Sequence, residues 1–343
     1  MEDYKSILII KMSSLGDILH ALPTLRVLRR RYPSARIVWA VHEQFVSLLP
    51  GAPYIDEVIF IDKNRLKSFR YWRELRRQLH PYRFDLSIDL QGLAKSAVVA
   101  MNSGAKRKIG YWEMREGSFL VSKGITGPHK NGHVIERYLD VARGLDCPVD
   151  AVAFPLPPLD EVRSKMLQRL AADGLQGPFV ALVPGARWSV KEWPLANWCA
   201  LSARFSERGI NVLLLGSGDD IEKGKKMKSG TASEHVFDYT GKTTLTELMA
   251  LISLSSLYVS ADTGPLHLAN ALKKELIALF GTTSPDRTGP YGGAGSDYIN
   301  LIVSPTSRAT AARPLVDDPE CMGKITVDTV WAECRKAAEK VGL

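Results

Sequence analysis

Apolar residues recur along this chain in short blocks, separated by longer stretches in which they return every three or four positions. The blocks Ser6–Lys11, Arg36–Val41, Glu57–Ile61, Leu86–Leu90 and one near Lys108–Tyr111 read as strands. A Ser-Gly turn and a helix to about Arg31 follow the first block. A long basic helix spans about Lys67 to Leu79, and another runs from Lys95 to about Met101. Strands that alternate with helices through short connections predict a parallel sheet covered on both faces.

Phe154-Pro155-Leu156-Pro157-Pro158 interrupts the alternation. Three prolines so close make a stiff, extended connector. The pattern then resumes. Phe179–Val183, Val212–Leu215, Val236–Tyr239, Leu257–Val259 and Leu276–Phe280 read as strands. Ala196–Glu207, a polar segment from Asp220, Leu245–Leu254, Leu266–Leu272 and Asp328–Lys340 read as helices. The expected division is a first doubly wound domain over 1–155, a second over 156–325, and a C-terminal helix, 326–343, free to pack back on the first domain. Two doubly wound halves imply a cleft, with ligands at the carboxyl ends of the strands.

Composition narrows this picture only in part. The 343 residues are 45% hydrophobic and 24% charged, enough for two cores. No apolar run approaches a membrane span. The start, Met1-Glu2-Asp3-Tyr4-Lys5, is acidic and leads into a strand, unlike a signal peptide. Cys147, Cys199, Cys321 and Cys334 are scattered without metal spacing, which suits free thiols in a reducing cytoplasm. The net charge of +8 points to an anionic partner: nucleic acid, a membrane surface or an anionic small substrate. Three positive clusters lie in the first half. They are Arg26 with Arg29–Arg31, then Lys63, Arg65, Lys67, Arg70, Arg73, Arg76 and Arg77, then Lys106–Lys108. Phe69, Tyr71 and Trp72 interleave the second group. Any one cluster alone is explained by a solvated helix face.

The densest chemistry is Ser260-Ala261-Asp262-Thr263-Gly264-Pro265-Leu266-His267. Thr263 or Gly264 can cap the helix that follows, and Pro265 suits its first position. Free N–H groups and the helix dipole at such an end favour an anion, typically phosphate. A well-capped turn without a ligand would look the same. Three further turns follow strands. Lys11-Met12-Ser13-Ser14-Leu15-Gly16-Asp17 ends in a carboxylate that either caps the next helix or acts as a general base. Pro184 to Pro194 carries Arg187 and Lys191, cations suited to a diphosphate leaving group or to a surface loop. Gly216-Ser217-Gly218-Asp219-Asp220-Ile221-Glu222 sets acids where ribose hydroxyls or a helix cap would use them. Two nucleotide fingerprints fail. Ile221 stands where a dinucleotide loop needs its third glycine, and Val236 where a P-loop needs its first. His129 and His133 flank Asn131-Gly132, a loop rather than a metal-binding helix face. No Asp-x-Asp occurs, so no metal site is expected, and a diphosphate would be held by backbone, lysine and helix ends.

With these residues in view, the chain resembles the ADP-heptose:lipopolysaccharide heptosyltransferases, glycosyltransferase family 9. The resemblance lies in Lys11–Pro23, Asp89–Ser96, His133–Arg137, Lys191–Pro194, Asp262–His267, Gly281–Pro285 and Thr288–Tyr291, in order along nearly the whole chain. It implies an α/β GT-B fold, two Rossmann-like domains facing across a cleft, and inverting transfer with neither metal nor cofactor. Asp17 would be the base, and Lys191 the cation on the donor phosphates with Arg187 beside it. Glu222 would contact ribose, Asp262 the donor sugar, and Thr263 and Gly264 the pyrophosphate, with His267 nearby. Ser14, Gly16, Lys95 and Arg115 would face the acceptor. The implied partners are an ADP-sugar and an anionic lipid-linked acceptor, Kdo-lipid A or inner core, at the cytoplasmic face of the inner membrane, with no nucleic acid. The turn at Ser13–Pro23 is more similar to the first-heptose branch than to the second. Only Cys321-Met322 stands where many relatives carry additional cysteines, after an unusual Ser307–Pro314 stretch. Competing readings are another donor sugar or a later core acceptor in the same family, a nucleotide-sugar epimerase of similar architecture, and a non-catalytic polyanion binder.

Overall fold

A computed structural model describes residues 3–313 and 315–343, with Ala294 described by its backbone alone. Met1 and Glu2 of the acidic start, and Pro314 at the end of the Ser307–Pro314 stretch, lie outside the described residues. The chain forms two compact units that divide between Pro158 and Leu159, at the proline-rich connector.

The first unit runs β1 (Ser6–Ile10), α1 (Leu15–Arg31), β2 (Arg36–Val41), β3 (Glu57–Phe60), α2 (Phe69–Leu79), β4 (Leu86–Asp89), α3 (Ala94–Asn102), β5 (Arg107–Tyr111), β6 (Lys123–Ile125) and α4 (Val134–Arg143). Its six strands lie parallel in the order β3-β2-β1-β4-β5-β6. The five residues of β1 are all buried, because a central strand is covered on both faces. On one face, Leu8, Ile10, Val38 and Ile59 pack under Tyr71, Leu75, Leu79, Val99 and Ala100 of α2 and α3.

The second unit runs α5 (Asp160–Ala172), β7 (Phe179–Val183), α6 (Leu195–Ser206), β8 (Asn211–Leu214), α7 (Ile221–Thr231), β9 (Val236–Asp238), α8 (Leu245–Leu254), β10 (Leu257–Ala261), α9 (Gly264–Ala271), β11 (Leu276–Phe280), α10 (Pro285–Thr288), β12 (Ile299–Val303) and α11 (Val327–Lys340). Its order, β12-β11-β10-β7-β8-β9, repeats the topology of the first. The apolar face of α11 is taken up by this unit. Val330, Cys334 and Ala337 join the core formed by Val180, Leu182, Trp198 and Phe205.

Four elements were not legible in the chain, for different reasons. β6 is three residues of edge strand, and β12 is a half-buried edge. α5 buries only Met166 and Leu170, whereas α4, most of whose residues are buried, is hidden by the loop-like Asn-Gly pair just before its N-cap His133. His133 is the N-cap of α4, its ring accepting from Ile135 N–H at 3.2 Å, while His129 Nδ1 lies 2.9 Å from Asp140 Oδ1. Both histidines of the Asn-Gly loop thus have structural work.

Candidate active site

In each sheet the chain reverses direction of growth at one point: between β1 and β4, and between β7 and β10. Loops leaving those neighbouring strands diverge to opposite faces, which opens a crevice at the carboxyl edge. The sequence-derived residues concentrate on these loops.

In the second unit, Lys191 leaves β7 on a short 3-10 turn, Ser189–Lys191, and Asp262 follows β10 directly. Lys191 Nζ donates to Asp262 Oδ2 at 2.7 Å, with side chains 20% and 7% exposed. His267 Nε2 lies 3.7 Å from the other oxygen, Oδ1. One carboxylate thus organises a lysine from one loop and a histidine from the next helix. Thr263 is the N-cap of α9, in extended conformation, and its side chain makes no capping bond. Gly264 and Pro265 open the helix at that end. Arg187 is exposed on the Lys191 loop. Glu222 stands on the outer face of α7, paired with Lys225 at 2.8 Å.

A second network braces that loop. Glu192 Oε1 accepts from Ala186 N–H at 3.2 Å and from Lys223, whose Nζ also donates to Asp220 Oδ1 at 3.2 Å. Asp220 Oδ2 accepts from Ser217 N–H and Oγ at 2.9 and 2.8 Å. Gly185 makes room for this: a Cβ there would fall 1.9 Å from Asp220 Oδ1. Asp220 therefore joins the loops after β7 and β8, rather than merely starting α7.

In the first unit, Asp17 sits in the first turn of α1 and accepts from Ser14 N–H at 3.1 Å and Ser14 Oγ at 2.7 Å. The capping reading is therefore realised in part, and the carboxylate still keeps 45% of its side chain exposed. Its Oδ1 lies 3.9 Å from Lys11 Nζ. Lys11, only 2% exposed, also donates to Leu90 O at 2.9 Å and Tyr138 Oη at 2.8 Å. A buried ammonium needs such partners. Gln91 Oε1 accepts from Met12 and Ser13 N–H at 3.0 and 3.2 Å, tying the loop after β4 to the loop after β1.

Asp89, wholly buried, shapes the loop after β4. It accepts from Gln91 and Gly92 N–H and from Ser96 Oγ at 2.8–2.9 Å. Burial pushes its carboxyl above the usual range, and those hydrogen bonds oppose the shift. Gly92, at φ +67°, lies where a Cβ would be 2.9 Å from the Tyr111 ring. Arg115 N–H donates to Gly92 O at 2.8 Å, so the loop after β5 joins the same edge. Arg115 and Lys95 are exposed there. Ser14 and Gly16 lie at the start of α1, Gly16 buried. His42, after β2, is held below its ordinary pKa mainly by burial, with Lys63 and Lys95 adding to the effect.

Lys191, Asp262, Thr263, Gly264 and His267 come together, then, and Arg187 shares the loop of Lys191. Glu222 points to solvent. Sequence reasoning placed Lys11, Asp89, Gln91 and Glu192 within motifs without giving them a role, and passed over Lys223. One signal was available for Lys11: a lysine continuing a fully apolar strand is either misplaced or buried with partners. Among the described residues, no three His, Cys, Asp or Glu side chains are grouped as metal ligands, and no helix is long and apolar enough to cross a membrane.

Two Rossmann-like units of the same strand order, each with its polar chemistry at the switch point, are the architecture of a GT-B glycosyltransferase. The chain belongs to glycosyltransferase family 9 (heptosyltransferase), whose model matches residues 72–308. It is 31% identical to lipopolysaccharide heptosyltransferase 1 of Pseudomonas aeruginosa, over 85% of this chain and 84% of that one. Among solved structures it is similar to a glycosyl transferase family 9 protein from Veillonella parvula, at TM-score 0.87 and 21% identity, over 99% of both chains. It is also similar to the Escherichia coli heptosyltransferase WaaC with ADP, at TM-score 0.76 and 24% identity, over 97% of this chain and 100% of that one. Family membership makes this chain a glycosyltransferase, rather than an epimerase or a non-catalytic polyanion binder.

Proposed function

We propose that this enzyme moves a heptose from ADP-heptose to the Kdo region of a lipopolysaccharide inner core, with inversion and without a metal. The observation that carries the reading is the Lys191–Asp262 pair, 2.7 Å apart at the β7/β10 switch point beside the opening turn of α9. Lys191 and the N–H groups of that turn take up the negative charge of the departing ADP. Asp262, which would repel phosphate, instead accepts from hydroxyls of the donor sugar and holds Lys191 in place. Thr263 and Gly264 line the pyrophosphate, His267 supports Asp262, and Arg187 and Glu222 bind the outer parts of the nucleotide.

Asp17 is the base. A carboxylate with an ordinary pKa near about 4 cannot deprotonate a resting alcohol. It can receive the proton as the new C–O bond forms and the hydroxyl becomes acidic. The displacement is a single step: the acceptor oxygen attacks the anomeric carbon, the bond to the diphosphate oxygen breaks, and the proton passes to Asp17. Lys11, 3.9 Å from Asp17, places a positive charge beside the base. Ser14, Gly16, Lys95 and Arg115 bind the anionic, lipid-linked acceptor, and the enzyme works at the cytoplasmic face of the inner membrane. Relatives named for lipopolysaccharide heptosyl transfer support the donor and pathway.

The test is a panel of ADP- and UDP-sugars with Kdo-lipid A, the product identified by mass. A heptosyl increment from ADP-heptose alone is expected. Transfer from a UDP-sugar, or to a core already carrying heptose but not to Kdo-lipid A, would replace this assignment with another donor or a later acceptor.

A further inference from the structure

The outer face of α2 is not used by the chemistry above. Tyr71, Leu75 and Leu79 bury its inner side. At 100° per residue, Phe69, Arg73, Arg76, Arg77 and His80 fall together on the opposite side. Arg73, Arg76, Arg77, His80 and Pro81 line an open hollow of about 470 Å³. The one acid of the helix, Glu74, is engaged by Arg65 at 2.5 Å and by Arg70 at 3.5 Å. Among the described residues, Arg73, Arg76 and Arg77 have no carboxylate partner. Three unpaired guanidiniums around one concavity repel each other unless an anion is present. At the start of the same stripe Phe69 is 75% exposed, its ring edge-on to Trp72 at 4.8 Å.

From this we infer that α2 is a docking surface for an anionic lipid bilayer. Phosphate headgroups enter the arginine-lined hollow while the Phe69 ring sinks into the interfacial layer. A stripe of guanidiniums ending in an exposed aromatic ring fits that boundary, where charge lies at the surface and apolar volume lies just beneath. A helix of 11 residues, about 16 Å long, lies flat on such a surface rather than crossing it. The inference deepens the lipid-linked acceptor reading and rests on it for its biological sense, but the surface itself is tested without acceptor or donor.

The experiment is co-sedimentation of the full chain with phosphatidylcholine vesicles, with and without about one-third phosphatidylglycerol. Binding to the anionic vesicles only, lost on raising salt from about 0.1 to 0.5 M, is expected. Each arginine near such a surface contributes about fivefold in partitioning, so Arg73→Gln/Arg76→Gln/Arg77→Gln should weaken it by roughly a hundredfold. Phe69→Ser should weaken it on the order of tenfold. Circular dichroism and ADP binding on the same samples report folding and the donor site. Equal partitioning to both vesicle types, or a triple variant that binds like wild type, overturns the docking surface. So does release by inorganic phosphate at matched ionic strength, which would mark a soluble-phosphate site. Binding to duplex DNA as tight as to anionic vesicles overturns it as well. Failure here with ADP binding intact leaves the transferase reading standing, whereas a wild-type protein that does not bind ADP fails that reading instead.

Discussion

Replacing Lys191 by methionine separates a catalytic cation from a structural ion pair. Methionine keeps most of the side-chain length and removes the charge. Asp262, 7% exposed, then keeps a carboxylate with no lysine against it. At 2.7 Å and an effective dielectric constant near 20, the lost attraction is about 6 kcal/mol, and most of it is offset by the desolvation that pairing had required. Orphaning one member of a fully buried pair costs about 3–5 kcal/mol. Water reaches this pair through the 20% of Lys191 that is exposed, so about 2–3 kcal/mol is expected here. In a unit of this size that lowers Tm by about 5–10 °C. The rate effect is separate. Removing one preorganised charge from the departing diphosphate costs about 10²–10³ in kcat. The double variant Lys191→Met/Asp262→Asn decides between the two contributions. It removes both charges, so it should regain most of the lost Tm and none of the lost rate. The assays are thermal unfolding by circular dichroism and single-turnover ADP release. A double variant no more stable than Lys191→Met refutes the orphaned-charge reasoning. A Lys191→Met enzyme within about threefold of wild-type turnover refutes the leaving-group role.

Three other outcomes are expected. Asp17→Asn keeps an oxygen to accept from Ser14 but cannot take a proton, so turnover should fall at least about a hundredfold with ADP affinity unchanged; near-normal turnover removes Asp17 as the base. Glu222→Gln breaks only an exposed pair with Lys225, so Tm should stay constant while the donor KM rises; a constant KM would leave Glu222 as surface charge. His42 has a lowered folded pKa, so below its unfolded value of about 6.5 the unfolded chain binds a proton that the native chain resists, and its contribution to stability fades as pH falls through that window. Urea midpoints of wild type and His42→Asn at pH 7.5 and 5.5 should therefore converge toward acid, and a gap that does not change with pH would place the cause elsewhere.

Most of the central strands were legible because each is covered on both faces, so its apolar run, though short, is nearly unbroken, and their helices because one face is apolar at helical spacing. Ser6–Ile10 and Leu276–Phe280 are buried throughout and stand out from the polar turns around them. β6, with two of three residues exposed, and α5, with two buried residues in thirteen, bury too little to impose a pattern. The site followed the same division. Asp17, Lys191 and Asp262 were visible as polar residues placed just after strands, where a doubly wound sheet puts its ligands. Glu192 and Lys223 are 31 positions apart, and nothing local marks them as partners. Lys11 and Tyr138 are 127 apart.

The chain alone determined the alternation of strand and helix, the break at the proline-rich connector and the turns that carry the chemistry. These are consequences of local periodicity and local backbone preference. Only the tertiary structure decided that Lys191 is paired with Asp262 and braced through Glu192, Lys223 and Asp220. It also decided that Asp17 is half cap and half exposed carboxylate, and that Glu222 faces solvent. Those outcomes depend on which strand ends become neighbours. Strand order is set by long-range strand pairing and by packing of each sheet's apolar faces under the helices of its own unit, and no stretch of sequence records it locally.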